Sequence, residues 1–534
     1  MNILHNLFDQ DNKFNIDVKL GDKKDYTYVL NKLYNYETEN RLYDESILDE
    51  IKFNKIRNKI DICLTKFGNK YFDYLIRNPL DNIEELKLRQ IKILKYKNND
   101  KKISLLIKIR KLQNTILSFW DNDDFIDSMI YFDKEIPLFK KINKNKIIQQ
   151  IINIYKIYIS PLITIVSPLL FFILPIIILK IFSFDMRITK VFNYMFKQLN
   201  KITNKINIGN KSPYMKYVSI FMWILFYIQN SYASLMTALN TKKIVNIYYN
   251  KLKVINEFIE TYNLLTEEQI DKLNIESTTG GIITSYYEFK NNKNYLISMF
   301  KKIGEIDCYI SINRLCGEGY NMTKYVKSKN PKIKFKKIFH PLVENNIPNS
   351  LNLKNNILIT GPNRSGKSTF IKSCLLGVIL SQTICISNSS EMVITPFNYI
   401  NCDINISDTE NKNSLFEAEL DRAINIINKI KKTDKYMLNI TDEIFSSTNN
   451  KESKALSYGI IKNMIKNKNL LSIITSHNYD LGELSKKNNI KNYCFKSDHK
   501  IRRGVSKEYK ALEILKEKKI DKEIIKDCYE KFNA

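Results

Sequence analysis

The stretch Asn356-Ile-Leu-Ile-Thr360-Gly361-Pro362-Asn363-Arg364-Ser365-Gly366-Lys367-Ser368-Thr369 decides how the C-terminal third of this chain is read. Asn356–Thr360 is a short apolar run of strand type, and Phe370, Ile371, Leu375, Leu376, Val378 and Ile379 follow at helical spacing. Strand, glycine loop and helix in that order make a phosphate cradle. The glycines of Gly361-x4-Gly366 let backbone N–H groups turn inward around phosphates. Lys367 places a point charge on the outer phosphates, and Ser368 offers a hydroxyl to magnesium. The helix that follows directs its positive end at the same place. Gly361, Pro362, Asn363, Arg364, Ser365, Gly366, Lys367, Ser368 and Thr369 form the expected ATP-binding loop.

Such a loop needs a carboxylate for Mg2+ and a base for water. Tyr436–Thr441 reads as a strand that ends in Asp442-Glu443. Asp442 is the expected second metal residue beside Ser368, and Glu443 the expected base. A third strand, Leu470–Thr475, ends at Ser476-His477, where a neutral imidazole can sense the γ-phosphate or hold the attacking water. Lys367, Glu443 and His477 are thus the expected catalytic set.

Outward from this centre the pattern alternates strands and helices from about residue 334, with a strand at Ile333–Phe339 and a helix near 451–466. That alternation is the mark of an α/β sheet with crossover helices. Residues 46–156 and 242–318 instead repeat apolar residues at three- and four-residue spacing, as helices do. The whole reads as a multidomain chain: an α-helical region followed by an α/β P-loop domain with a parallel sheet. Its 534 residues exceed one ordinary core.

Between the helical stretches the texture changes. Ile157–Leu179 and Tyr217–Thr241 are runs of 23 and 25 uncharged residues, each bounded by lysines. Both are long enough to cross a bilayer. Pro161, Pro168 and Pro175 in the first are better tolerated in a membrane helix than in a soluble one. Residues 185–216 between the runs carry seven Lys or Arg, which a simple hairpin would place against the positive-inside tendency. A two-span hairpin, a re-entrant or interfacial arrangement, and a pair of buried core helices all stay open.

The net charge of +28 fits a basic surface for nucleic acid or anionic lipid, and equally a Lys- and Asn-rich coding bias. Eight scattered cysteines without Cys-x-x-Cys spacing, and four histidines, leave little from which to build a zinc site. The N-terminus lacks the basic start and apolar run of a signal peptide.

Taken together, the three motifs resemble the MutS family of DNA mismatch-repair ATPases, a branch close to the ABC ATPases. Thr360–Thr369 looks like the family's Thr-Gly-Pro-Asn-x-x-Gly-Lys-Ser-Thr, Thr441-Asp-Glu-Ile444 like its magnesium and base motif, and Thr475–Leu481 like its histidine motif. His340-Pro-Leu-Val-Glu344 and Ile347-Pro-Asn349 resemble the lead-in to the nucleotide, which makes Ile347 an expected ATP contact. Asn413–Glu419 resembles the signature in which a serine, here Ser414, reaches the γ-phosphate of a partner subunit. Thr65-Lys-Phe-Gly68, Asn78-Pro-Leu-Asp81 and Arg89-Gln90 look like the start of the helical core, and Ile303–Asp307 like the lever helix. Gly504–Ser506 with Tyr509, and the helix after Ile520, resemble a dimerisation segment.

The resemblance implies these divisions: an N-terminal segment of unassigned fold (1–45), helical core (46–156), apolar segments with a basic connector (157–241), lever helices (242–330), ATPase (331–495) and dimerisation helices (496–534). Departures are as informative. Too few residues precede the core for a mismatch-reading domain, and no Phe-x-Glu wedge occurs in 1–45. Asn346 stands where the family often has an aromatic to stack on adenine. Phe445–Asn449 replaces a Gly-rich segment. The two apolar runs fall where the family places its DNA clamp.

The expected function is that of a homodimeric, membrane-associated ATPase, using ATP and Mg2+, at the cytosolic face of a membrane. A DNA mismatch or junction factor holding double-stranded DNA through phosphates is the alternative, with a soluble cytoplasmic or nuclear location. An ATP-binding scaffold with little turnover is the third reading.

Overall fold

The computed structural model describes residues 27–34, 42–120, 137–181, 190, 193, 197, 214–404, 415–432, 434–445, 449–486, 489–506 and 522–533. The chain divides into two compact units. The described part of one lies within Lys111–Ser298; the other combines Asp25–Arg110 with Met299–Ala534. The division expected at residue 156 therefore falls inside the first unit. The helix Asp100–Leu117 continues through the division at 110, and Leu296–Leu315 through that at 298, so neither is a break in helical periodicity.

In the second unit the strands are β1 (Asn321–Met322), β2 (Lys324–Tyr325), β3 (Ile333–Ile338), β4 (Asn349–Leu353), β5 (Asn356–Thr360), β6 (Ile386–Ser387), β7 (Glu391–Ile394), β8 (Tyr399–Asp403), β9 (Met437–Thr441), β10 (Leu470–Ser476), β11 (Ile490–Phe495) and β12 (Ile501–Arg503). The main sheet has the order β12-β11-β5-β10-β9-β8. It is parallel except for β12, which returns antiparallel on β11. β5, β9 and β10 are buried at every position, as strands covered on both faces must be. The boundary expected at 495 cuts the β11–β12 hairpin. Ile501–Arg503 belong to this sheet, and beyond them Ser506 N donates to Thr360 Oγ1 at 3.0 Å. A smaller sheet, β2-β7-β3-β4, covers the helix Lys367–Thr383, which is buried along almost its whole length.

Helices from the N-terminal part of the same unit are fixed to this α/β body by side-chain and backbone hydrogen bonds. Gln382 Nε2 donates to Leu80 O at 2.9 Å, and Leu80 N returns a bond to Gln382 O at 2.7 Å. Asn398 Nδ2 donates to Asp81 at 2.7 Å, Gln90 Nε2 to Thr323 O at 2.7 Å, and Arg89 to Thr383 O. The Asn78–Asp81 and Arg89-Gln90 motifs are thus junction residues. Within 1–45, the described helix Thr27–Asn31 also belongs here: Tyr34 stacks on Tyr74 and donates to Lys301 O.

Asp307, on the helix Leu296–Leu315, accepts Thr65 N and Thr65 Oγ1 at 2.7 Å and Leu64 N at 3.1 Å. It crowns the start of the helix Lys66–Arg77. Gly68 is required there, because a Cβ would lie 2.2 Å from Asp307 Oδ2. Burial raises the Asp307 carboxyl to about 6, against the lowering by its three donors.

In the first unit, the helix Thr279–Asn292 packs on Lys146–Ile154, with Gln150 Oε1 accepting Thr279 Oγ1 and Gly280 N at 2.8 Å. The first apolar run forms the helix Ser160–Ile181 after a π turn at Tyr155–Ile159. The wider turn just before Pro161 accommodates its missing N–H. The Thr164 carbonyl released by Pro168 accepts Ser167 Oγ at 2.8 Å, and Ile165 O accepts Tyr227 OH at 2.6 Å. The second run is no separate element. It lies in the 53-residue helix Tyr214–Thr266, about 80 Å long at 1.5 Å per residue. Among the described residues one helical stretch, Lys146–Pro168, is long and apolar enough to cross a membrane; it overlaps the first run and not the second. The basic connector lies almost wholly outside the described residues.

Candidate functional site

Parallel pairing brings the C-terminal ends of four strands to one edge. Thr360 is level with Ser476, Ile474 with Thr441, and Thr441 with Asp403. Crevices at these ends are where open α/β sheets place their ligands. Each expected motif follows one such end: the glycine loop follows β5, Asp442-Glu443 follows β9, and His477 follows β10.

The loop turns through Arg364 at φ 62° and Gly366 at φ 99° before the helix starts at Lys367. Gly366 relieves the strain that a side chain would carry at that angle. Lys367 is buried, and its ammonium donates to Gly361 O at 2.9 Å and Pro362 O at 3.1 Å. Burial lowers its pKa, while Glu443 and Asp442 act in the opposite direction. Ser368 is exposed in the first helical turn. Ser365 Oγ is buried with no partner, a polar atom the fold leaves to be satisfied from within the loop.

Thr475, the buried residue before the end of β10, was missed as a working residue by sequence reasoning. Its hydroxyl donates to Asp442 Oδ1 and accepts Glu443 N at 3.0 Å. One hydroxyl therefore orients both members of the acidic pair. Glu443 is held at φ 55°, a conformation that only surrounding bonds make tolerable. Its carboxylate meets His477 Nε2, so that nitrogen carries the proton and donates. This bond is the main reason the Glu443 pKa is lowered; Lys367 adds to it and burial opposes it. Glu443 and His477 are both about one-third exposed.

Beside the loop lies a cavity of about 290 Å³, lined by Ile347, Asn346, Arg364, Phe370 and His499 among others. His499 Nδ1 donates to Ser365 O at 3.0 Å, and Asn349 Nδ2 donates to His499 O at 3.1 Å. His499 was not anticipated, although the scarcity of histidine that drew attention to His477 applied to it as well. The structure brings Gly361–Thr369, Asp442, Glu443, His477 and Ile347 to one end of the sheet; Ser414 lies outside the described residues. A larger cavity, of about 530 Å³, opens at the β8 edge and is lined by none of these residues. Among the described residues no group of three or more His, Cys, Asp or Glu is placed to hold a metal ion.

The family model for MutS domain V matches residues 357–533, the segment that carries the glycine loop, Asp442, Glu443, Thr475, His477 and His499. Over these residues the chain matches the MutS family. It is 25% identical over 264 residues to the DNA mismatch repair protein MSH3 of Candida glabrata, covering 48% of this chain and 25% of that protein. It is 30% identical over 277 residues to MSH3 of Vanderwaltozyma polyspora (46% and 26%). It is 25% identical over 348 residues to the DNA mismatch repair protein MutS of Thermotoga maritima (61% and 41%). The chain thus spans between a quarter and two-fifths of the length of these relatives. Its helical N-terminal region and mixed α/β C-terminal domain agree with the domain V assignment.

Proposed function

We propose that the chain binds ATP with Mg2+ and hydrolyses it, in an ABC-type P-loop site formed by Gly361–Thr369. The observation that carries this reading is the convergence of Lys367, the Thr475-held Asp442 and the Glu443–His477 pair at the ends of β5, β9 and β10. The loop fits a triphosphate: a buried lysine, the orphan Ser365 hydroxyl and a helix N-terminus face one place. Ser368 and Asp442 are the residues to hold magnesium, which when bound would spread the charge of the outer phosphates.

In this reading Glu443, kept ionised by His477, orients and deprotonates the attacking water, and His477 holds Glu443 in place. Lys367 moves from the loop carbonyls to the phosphates, which replaces two neutral hydrogen bonds with charge-assisted ones. The base rests in the Ile347–His499 cavity, with Asn346 in place of an aromatic. Each site takes Ser414 from a second copy, so the working unit is a homodimer whose closure moves the helical arms.

The apolar helices of residues 157–241 attach the dimer to a membrane, with the ATPase on the cytosolic side. Support comes from their exposed side chains, among them Leu162, Ile163, Ile177, Phe221, Trp223 and Phe226. A second reading, a soluble cytoplasmic or nuclear factor that holds double-stranded DNA, is favoured by the mismatch-repair names of the relatives.

Glu443→Gln is the deciding variant. It should lose turnover while retaining ATP and shifting the chain to dimers in light scattering, whereas Lys367→Ala should lose nucleotide binding altogether. Turnover by Glu443→Gln at the wild-type rate would refute the assignment.

A further inference from the structure

Residues 137–256 hold seventeen Lys and Arg against a single acidic residue, Asp185. The chain as a whole carries 84 against 56, so its average would put about a dozen acidic residues in this stretch. A coding bias that favours lysine raises it everywhere; it does not strip Asp and Glu from one segment. The exclusion of negative charge is therefore local.

It coincides with the apolar surface. The helices Ser160–Ile181 and Tyr214–Thr266 contact each other and leave large apolar side chains exposed, with Phe221, Trp223 and Phe226 each about 60% accessible. Ser160, Thr164 and Ser234 form hydroxyl contacts between the two helices, while Ser167 and Tyr227 take up main-chain carbonyls. The carbonyls of Thr164 and Ile165 are thus satisfied from within, as a hydrocarbon setting demands. Exposed lysines flank the apolar zone, with Lys141 and Lys144 before it and Lys243 within the continuing helix.

We infer that this segment takes a bilayer that contains anionic lipid, the aromatic and aliphatic faces entering the acyl region and the lysines meeting acidic headgroups. The inference rests on the membrane attachment proposed above and adds the class of lipid. Duplex DNA would answer the positive charge but offers no apolar interior to Ile163, Phe221 or Phe226.

Trp223 gives a direct readout, because the chain has two tryptophans and Trp120 is buried. In a full-length Trp120→Phe protein, Trp223 emission and flotation are measured with vesicles of phosphatidylcholine alone and of phosphatidylcholine mixed equally with phosphatidylserine. Trp223 should shift to the blue, and half-maximal flotation on the mixed vesicles should need at least about tenfold less lipid, a gap that narrows with salt. Replacing Lys141, Lys144, Lys190, Lys197 and Lys243 together by Gln should abolish the difference while the circular dichroism spectrum stays unchanged.

Equal flotation on both vesicle types would overturn the anionic-lipid inference and leave membrane attachment standing. No shift and no flotation with either would overturn both. Low-salt capture of duplex DNA that the lysine variant loses, with its vesicle flotation unchanged, would assign the lysines to nucleic acid and overturn the inference.

Discussion

Removing one hydroxyl from β10 should cripple the site without touching any residue assigned to ATP or to water. Thr475→Val keeps the β-branched shape that suits a buried strand, and deletes only the Oγ1 that donates to Asp442 and accepts Glu443 N. A hydrogen bond to a charged group contributes roughly 1.5–3 kcal/mol, so the loss corresponds to about 10- to 100-fold in turnover. The Glu443 N–H also loses its acceptor, which loosens a residue held at φ 55°. The assay is ATP turnover titrated with Mg2+, alongside binding of a fluorescent nucleotide in EDTA and the urea midpoint. The expected result is a lower rate and a higher Mg2+ requirement, with metal-free nucleotide binding unchanged. Thr475→Ser should restore most of the rate, because the hydroxyl is retained. A Val variant with wild-type rate and Mg2+ requirement would refute the argument and reduce Thr475 to a packing residue.

Two further predictions concern strain and protonation. Gly366→Ala places a Cβ at φ 99° and 3.3 Å from His499 Nδ1, so nucleotide affinity should fall by about tenfold or more at roughly 1–2 kcal/mol of strain, read by titration with a fluorescent ATP analogue. The pH dependence of stability has two opposed sources. Asp307 is raised to about 6, so its contribution is fully present below its unfolded value near 3.8 and is lost as pH rises through about 6. His340, buried and lowered to about 4, contributes above its unfolded value near 6.5 and loses that contribution as pH falls towards about 4. Each shift corresponds to about 3 kcal/mol at 1.36 kcal/mol per unit, so the wild-type urea midpoint should change little between pH 4 and 6.5. Asp307→Asn should make it climb with pH, and His340→Gln should make it fall; parallel curves for both variants would contradict these assignments.

The loop, the acidic pair and His477 were legible in the sequence for a physical reason. Each is a short motif at the end of an apolar run, and local spacing alone dictates a strand that stops where the chemistry begins. The predicted strands Asn356–Thr360, Tyr436–Thr441 and Leu470–Thr475 differ by at most a residue at an end from β5, β9 and β10. Strand order was not legible. β10 lies between β5 and β9 although it follows both in the chain, because order is set by which buried faces pair, and every one of these strands is buried throughout.

Long-range bonds were equally hidden. Thr475 as the clasp of Asp442, His499 returning 134 residues later to Ser365, and Asp307 capping Thr65 across 242 residues all join groups with no periodic signature. The apolar runs show the other side of the division. Composition marked Tyr217–Thr241 as a unit, whereas the folded chain continues the helix to Thr266, since helical hydrogen bonding passes from apolar to basic sequence without a break. Local spacing marks the residues proposed here for phosphate and water chemistry. Only the tertiary structure decided that they share one edge, because that depends on strand pairing and on single hydrogen bonds between residues far apart in the chain.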